Sequence, residues 1–275
     1  MTCMLGAVCG DIAGSIYEFH NIKHKPATLI KPGCRFTDDT VMTLAVAEGI
    51  RNGLRQLPEN WMEEPSAEGI LLREIQTAMQ HYGRNYPRAG YVGRFRSWLR
   101  AANPQPYNSW GNGSAMRASF AGWAANSLAE AEKLGTLSAM VTHDHPEGIK
   151  GAQVTAGSIF LLRNGGSKAE LEAYASRYYN LDFTLDEIRP TYRFDVSCQG
   201  SVPQAIKAVL EETSYADVIS AAISIGGDSD TIAAIAGSIA EPIYSVPEDI
   251  AARARQGLDP FLTASLDASI DWLHR

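Results

Sequence analysis

Apolar positions recur along this chain mostly at helical spacing, as in Leu71, Ile75, Met79 and Tyr82, while clean period-two alternation bounded by hairpin turns is nearly absent. The pattern predicts an all-α fold. Helices are expected over about residues 3–18, 40–52, 66–82, 114–131, 147–163, 168–179, 203–212, 216–225, 231–241, 247–256 and 259–273. Pro203 and Pro247 suit first-turn positions, and Gly226 with Gly227 halts the helix before them. The longer connections, 19–36, 103–113 and 180–202, are rich in Pro, Gly, Asn or polar residues. Neither a repeat period nor a break in composition divides the chain, so residues 1–275 read as one compact domain.

Two segments stand directly before alanine-rich apolar helices: Phe36-Thr37-Asp38-Asp39-Thr40 and Gly226-Gly227-Asp228-Ser229-Asp230-Thr231. Asp and Thr are favoured helix caps, because their oxygens accept bonds from N–H groups that lack a partner in the first turn. One side chain suffices for a cap, however, and each start carries two carboxylates that repel one another unless something neutralises them. A hard cation accounts for the pair of segments better than capping does, since Mg²⁺ and Mn²⁺ seek carboxylate, hydroxyl and water oxygens. Four aspartates can hold two such ions.

A third acidic element is Gly10-Asp11-Ile12-Ala13-Gly14-Ser15-Ile16-Tyr17-Glu18, in which Asp11 and Glu18 are expected to share one face of the first helix. That helix is otherwise apolar, so an inward carboxylate needs a cation or several donors. Asp11 is open to two readings, a hydrogen-bonded structural acid or a direct participant. Glu18, beside a loop, is freer to reach solvent and ligand.

Trp110-Gly111-Asn112-Gly113-Ser114-Ala115-Met116-Arg117 is a small-residue loop running into a helix. It fits a plain turn, and it also fits a phosphate site, because glycines allow close backbone approach and helix N-termini present free N–H groups. No Walker loop or GxGxxG motif accompanies it. Thr142-His143-Asp144-His145 lacks partners at zinc spacing, so His143 is read as a possible ligand donor and Asp144 and His145 as solvent-facing.

Composition narrows the class. With 24 Lys and Arg against 31 Asp and Glu the net charge is −7, which gives no electrostatic case for a nucleic-acid backbone or an anionic membrane as partner. The four cysteines have neither CxxC spacing nor disulfide-scaffold density, and no stretch approaches the roughly 18 apolar residues of a membrane span. No signal-peptide pattern opens the chain, so a cytoplasmic monomer is expected.

Taken together, the motifs carry a resemblance. GDxxGxxxE at Gly10 to Glu18, FTDDT at Phe36 to Thr40, GNGSAMR at Gly111 to Arg117, Thr142-His143, SVP at Ser201 to Pro203 and GGDSDT at Gly226 to Thr231 occur in the order seen in the ADP-ribosylglycohydrolases, and the chain resembles that family over nearly its whole length. The resemblance implies a compact all-α fold with two Mg²⁺ or Mn²⁺ ions in a central cleft. It implies Thr37, Asp38, Asp39, Asp228, Asp230 and Thr231 as metal ligands, and Glu18 together with Asp38 and Asp39 as catalytic carboxylates. Gly111, Asn112, Gly113 and Ser114 would wrap the diphosphate, and His143 would touch the ADP-ribose.

The implied substrate is an ADP-ribosylated protein, with arginine as the first choice of acceptor, or a small conjugate through serine, a nucleobase or an acetyl ester. Residues 84–112, with Arg84, Arg88, Arg94, Tyr107 and Trp110, are candidates for shaping the acceptor side. Two rivals use the same residues differently: an HD-type phosphohydrolase built on His143-Asp144 with His81, and an ADP-ribose-binding module without turnover.

Overall fold

The computed structural model describes residues 3–274. Fifteen α-helices follow one another: α1 Leu5–Gly14, α2 Asp38–Leu54, α3 Ala67–Asn85, α4 Gly93–Arg100, α5 Gly113–Met116, α6 Ser119–Ala124, α7 Leu128–Met140, α8 Pro146–Arg163, α9 Lys168–Ala175, α10 Leu185–Ile188, α11 Cys198–Glu211, α12 Tyr215–Ser224, α13 Ser229–Ala240, α14 Glu248–Gln256 and α15 Pro260–Leu273. Among the described residues there is no strand, only an isolated bridge between Gly111 and Ser197. The all-α expectation is met.

Every residue of α1 and of α13 is buried. Small residues decide how closely these two helices approach. A Cβ on Gly6 would fall 2.2 Å from the Gly237 carbonyl, one on Gly10 would fall 2.1 Å from the Ala233 carbonyl, and one on Gly14 would fall 2.5 Å from Asp230 Cα. Rising numbers on α1 meet falling numbers on α13, so the helices run antiparallel. The seam therefore sets the last turn of α1, which carries Asp11 and leads on to Glu18, against the start of α13 with Asp228 and Asp230. Glu241, at the far end, accepts bonds from the Leu5 and Gly6 amides and so closes the N-terminus of α1.

Around this pair α2 packs on α3, α7 on α8, and α11 and α12 on α13. One continuous apolar core joins them, from Leu5 and Val8 through Val41, Leu44 and Phe120 to Ile232 and Ile235.

Several expected boundaries move. The first helix ends at Gly14 rather than 18, because Ser15 Oγ donates to the Ile12 carbonyl and Tyr17 N to the Gly14 carbonyl, which close turns in place of further helix. Glu18 is therefore on a turn and does not share a helix face with Asp11. The segment expected as one helix over 114–131 is broken into α5, α6 and the start of α7, whose cap is Ser127 accepting from Glu130 N. Pro203 lies inside α11, which begins earlier at Cys198, and Pro247 occupies the N-cap of α14 rather than its first turn. The arginine-rich α4 has no counterpart in the sequence reading. Gly226 and Gly227 do end α12, with φ of 71° and 77° that side chains rarely adopt.

No described helix is long and apolar enough to cross a membrane, and all four cysteines are free thiols.

Candidate metal centre and substrate cleft

Asp11 is fully buried, and its two oxygens are occupied by the start of α2. Oδ1 accepts from Thr37 Oγ1 at 2.7 Å, while Oδ2 accepts from Thr37 N at 2.9 Å, from Thr40 N at 3.1 Å and from the Thr40 hydroxyl. Burial pushes its carboxyl upward and these four donors pull it back. Of the two readings left open for Asp11, these bonds describe the structural acid.

Thr37 Oγ1 also accepts from Asp39 N and so caps α2. With the cap supplied by threonine, Asp38 and Asp39 are free to serve elsewhere. Asp39 Oδ2 accepts from Thr231 Oγ1 at 3.2 Å, a bond between opposite ends of the chain, whereas Asp39 Oδ1 is buried with no hydrogen-bond partner. On the other side, Asp228 stands at the N-cap of α13 without capping it, and its Oδ2 accepts from Asn112 Nδ2 at 2.6 Å. Asn112 is itself held by its amide on the Val196 carbonyl and by Nδ2 on Ser201 Oγ. This gives the serine of the SVP motif its task.

One carboxylate oxygen each from Asp11, Asp39 and Asp230 lie within 4.8 Å of one another, and so do oxygens from Glu18, Asp228 and Asp230. Asp230 belongs to both groups. Such crowding shows in the protonation of Asp39, Asp230, Asp38 and Glu18. Burial first, then the neighbouring carboxylates Asp11, Asp38 and Asp228, drive Asp39 well above the usual carboxylate range, and Asp230 follows for the same reasons. Asp38 and Glu18 are each pushed up to about 7, Asp38 by burial and Asp11, Glu18 by burial and Asp228, with Arg35 opposing. A buried carboxylate oxygen without a donor, among acids forced toward their neutral form, is what a site for a hard cation looks like without its charge compensation. The donor set is all oxygen, which suits Mg²⁺ or Mn²⁺ and not zinc.

Glu18, Asp38, Asp39, Asp228, Asp230 and Thr231 line a cavity of about 560 Å³. Thr37 and Asp11 stand behind that lining. Gly111, Asn112 and Gly113 form another wall, and a Cβ on either glycine would come within 3.3 Å of His143 Nε2. Ser114 departs from expectation: its hydroxyl donates to the Gly148 carbonyl at 2.7 Å and does not line the cavity. The helix after the loop, α5, is a single turn, so the loop's openness rests on its glycines rather than on a helix dipole.

His143 is buried but reaches the cavity. Arg117 Nη2 donates to Thr142 Oγ1 at 2.7 Å, which leaves the threonine proton for His143 Nδ1, also at 2.7 Å. That chain puts the imidazole proton on Nε2, facing Gly111 and Gly113. Burial and the Arg117 charge hold His143 well below its ordinary range, so it is a neutral donor. Asp144 is exposed and accepts from Asn108 N, and His145 caps α8. His81 is exposed and packs on Tyr82 and Phe261. Neither His143-Asp144 nor His81 joins a metal-sized group among the described residues, so the HD arrangement does not form.

Of the acceptor-side candidates, Arg94, Tyr107 and Trp110 line the cavity. Arg84, at the end of α3, donates to the Leu99 carbonyl, and neither it nor Arg88 lines the cleft. Sequence reasoning missed Asn21, whose amide pairs with both the N–H and the carbonyl of Gly227 at 2.8 and 2.9 Å and so ties the Glu18 turn to the Asp228 loop. It also missed Phe19 and Phe194 at the rim. The glycines at 6, 10 and 14 were the available signal for the seam that assembles the site.

Three comparisons bear on this arrangement. The chain is 27% identical over 319 aligned positions to ADP-ribosylhydrolase ARH3 of Homo sapiens, covering 90% of this chain and 85% of that one. It is 25% identical to the ADP-ribosylarginine hydrolase Tri1 of Pseudomonas putida (strain GB-1), covering 88% and 70%. A solved structure titled ADP-ribosylglycohydrolase-related protein complex shares the fold with a TM-score of 0.62 at 19% identity, over 97% of this chain and 96% of that one. A family model described as ADP-ribosylglycohydrolase matches residues 1–274, and the chain belongs to that family.

Proposed function

We propose that this protein is a divalent-cation-dependent hydrolase that frees ADP-ribose from arginine side chains of modified proteins. Family membership places its chemistry at ADP-ribosyl linkages. Arginine as the acceptor draws on the relative whose name specifies ADP-ribosylarginine, together with Glu18, the one acid of the cavity lining outside the cation ligand set. The single observation that carries the reading is the meeting of two carboxylate groups, from the front and the back of the chain, on Asp230 in a cavity that also holds a neutral histidine and a glycine loop.

Thr37, Asp38, Asp39, Asp228, Asp230 and Thr231 are the residues that would hold a pair of Mg²⁺ or Mn²⁺ ions. Bound there, the ions supply Lewis acidity and orientation toward the sugar hydroxyls. The rest falls to the chain. Gly111 and Gly113 leave room for the diphosphate to approach backbone, and His143 offers its Nε2 proton to the ADP-ribose. Glu18 lines the cavity, and in the cation-free fold burial and Asp228 push its carboxyl up, so it is the carboxylate placed to accept a proton. The carbon–nitrogen bond breaks through an oxocarbenium-like state, water adds its oxygen to the anomeric carbon and passes one proton to Glu18, and the leaving guanidine nitrogen takes up one proton from solvent water, so that release of the Glu18 proton to solvent closes the balance. Hydrolysis needs no nucleophilic Ser or Cys.

The test is to incubate the purified protein with arginine-, serine- and nucleobase-linked ADP-ribose, with and without chelator, and to measure free ADP-ribose. Release from the arginine conjugate that chelator stops is the expected result. Release from none of them would leave the binding-module reading in its place. Glu18→Gln should keep cation binding and lose turnover by roughly 100-fold or more, as for loss of a general base.

A further inference from the structure

The cavity lining carries both signs of charge. Arg117, buried behind Gly113, and Arg94, bonded to the Tyr107 carbonyl, stand with His143 around the glycine loop. The lining also holds Glu18, Asp228 and Asp230, and its only lysine or arginine side chains are Arg94 and Arg117. Arg35 is close enough to act on Glu18 but lies outside the lining, and Arg193 donates to the Pro190 and Tyr192 carbonyls. An anionic diphosphate suits the walls that carry Arg94, His143 and the glycine loop, and Glu18, which stands outside the cation ligand set, is the carboxylate that the cavity offers to a cationic leaving group.

Two aromatic rings line the same cavity, one of them next to Glu18 in the chain. Phe19 is 75% exposed and Phe194 47%, yet both line the cavity, and their rings stack with centroids 6.3 Å apart and planes 19° from parallel. They come from separate connections, and each is the sequence neighbour of a carboxylate, Glu18 before Phe19 and Asp195 after Phe194. Asp195 is near enough to Asp228 to raise it. Exposed phenyl rings forgo the stabilisation that burial brings, and a stacked pair that lines a cavity recovers it when a flat ligand covers the rings. A guanidinium is planar and weakly hydrated, stacks on aromatic faces and pairs with carboxylates. A serine side chain offers neither a charge nor a flat face.

We propose that Phe19 and Phe194 determine leaving-group specificity: the stacked rings, with Glu18 beside them in the cavity lining, take a planar guanidinium cation and so select arginine-linked over serine-linked ADP-ribose. The inference rests on the reading of the protein as an ADP-ribosylarginine hydrolase and names the residues that would make it one.

The test compares kcat/KM for ADP-ribosylarginine with that for a serine-linked ADP-ribosyl peptide, taking the inhibition constant for the latter where it is not cleaved. Wild type, Phe19→Ala/Phe194→Ala and Phe19→Leu/Phe194→Leu are measured together with their affinities for free ADP-ribose. The alanine pair should lower arginine kcat/KM about 10-fold, chiefly through KM, with the serine conjugate and ADP-ribose changed less than about twofold. The leucine pair, which keeps apolar bulk without a π face, should not restore the arginine value.

Parallel losses on both conjugates, weakened ADP-ribose binding, or full recovery with leucine would each overturn the assignment. If wild type cleaves the arginine conjugate and the variants cleave it equally well, this inference fails alone. If wild type does not cleave it, the inference and the arginine reading fail together.

Discussion

The two acid-bearing helix starts look alike in sequence but are held by different means. At the start of α2 the cap is Thr37, and a dedicated buried acid, Asp11, accepts four bonds from Thr37 and Thr40. At the start of α13 no side chain caps the helix. The backbone there is shaped by the left-handed Gly226 and Gly227, steadied by Asn21, and Asp228 takes its hydrogen bond from Asn112 in the middle of the chain. The front is thus a self-sufficient hydrogen-bonded unit with Asp38 and Asp39 left over, while the back presents Asp228 and Asp230 on a frame borrowed from elsewhere. Damage to the front should register first in stability, and damage to the back first in cation binding and turnover.

The largest effect is expected from Asp228→Ala/Asp230→Ala, which should remove cation uptake in calorimetry and lower turnover by roughly 1,000-fold or more. The metal-free melting temperature should not fall, since two mutually repelling buried carboxylates are gone. A variant that still turns over at the wild-type rate would end the comparison. Asp11→Ala should do the reverse, because it leaves the Thr37 and Thr40 donors buried without an acceptor. A loss of about 3 kcal/mol, or a melting temperature lower by roughly 6–12 °C with chelator present, is expected. An unchanged melt would mean that the front unit is not what holds α1 to α2.

A smaller effect should appear in pH dependence. The centre's carboxylates are raised in the fold, so the folded protein binds protons more readily than the unfolded chain. Their contribution is most favourable below the ordinary carboxylate range and is lost as pH rises through about 7, where Glu18 and Asp38 ionise. Metal-free protein should therefore melt at a lower temperature at pH 8 than at pH 6, and saturating Mg²⁺ or Mn²⁺ should flatten that slope. A slope of the opposite sign in chelator would show that the acids are already compensated by the chain. Smallest of all, Thr37→Val should cost about 1 kcal/mol as a lost cap, while Thr231→Val, whose hydroxyl caps nothing and bonds acids of the centre, should cost less in chelator melts.

Much of this was legible in the sequence because it rests on local rules. Helical period, the glycine stop at Gly226 and Gly227, and two doubled acidic starts gave the fold class and the acids that line the cleft. What escaped reading depends on partners distant along the chain or on competing local bonds. Asp11 could not be assigned until Thr37 and Thr40 were seen around it, and Ser114 turns inward because Gly148, far along the chain, accepts its proton. The end of α1 was misplaced because Ser15 bonds back to Ile12, and the helix expected over 114–131 fails where Ser127 caps a new one. Phe19 and Phe194 carry no periodic signal, and only the folded chain stacks them.

The central claim is that acids from both ends of the chain form one cation centre in which Asp230 is shared. Calorimetric titration of Mn²⁺ into chelator-stripped wild type, Asp39→Asn and Asp230→Asn tests it most directly. Wild type should take up close to two ions per chain, Asp39→Asn should lose one of them, and Asp230→Asn should lose both, because Asp230 alone belongs to both carboxylate groups. Equal uptake by all three proteins, or no uptake by wild type at saturating Mn²⁺, would contradict the account.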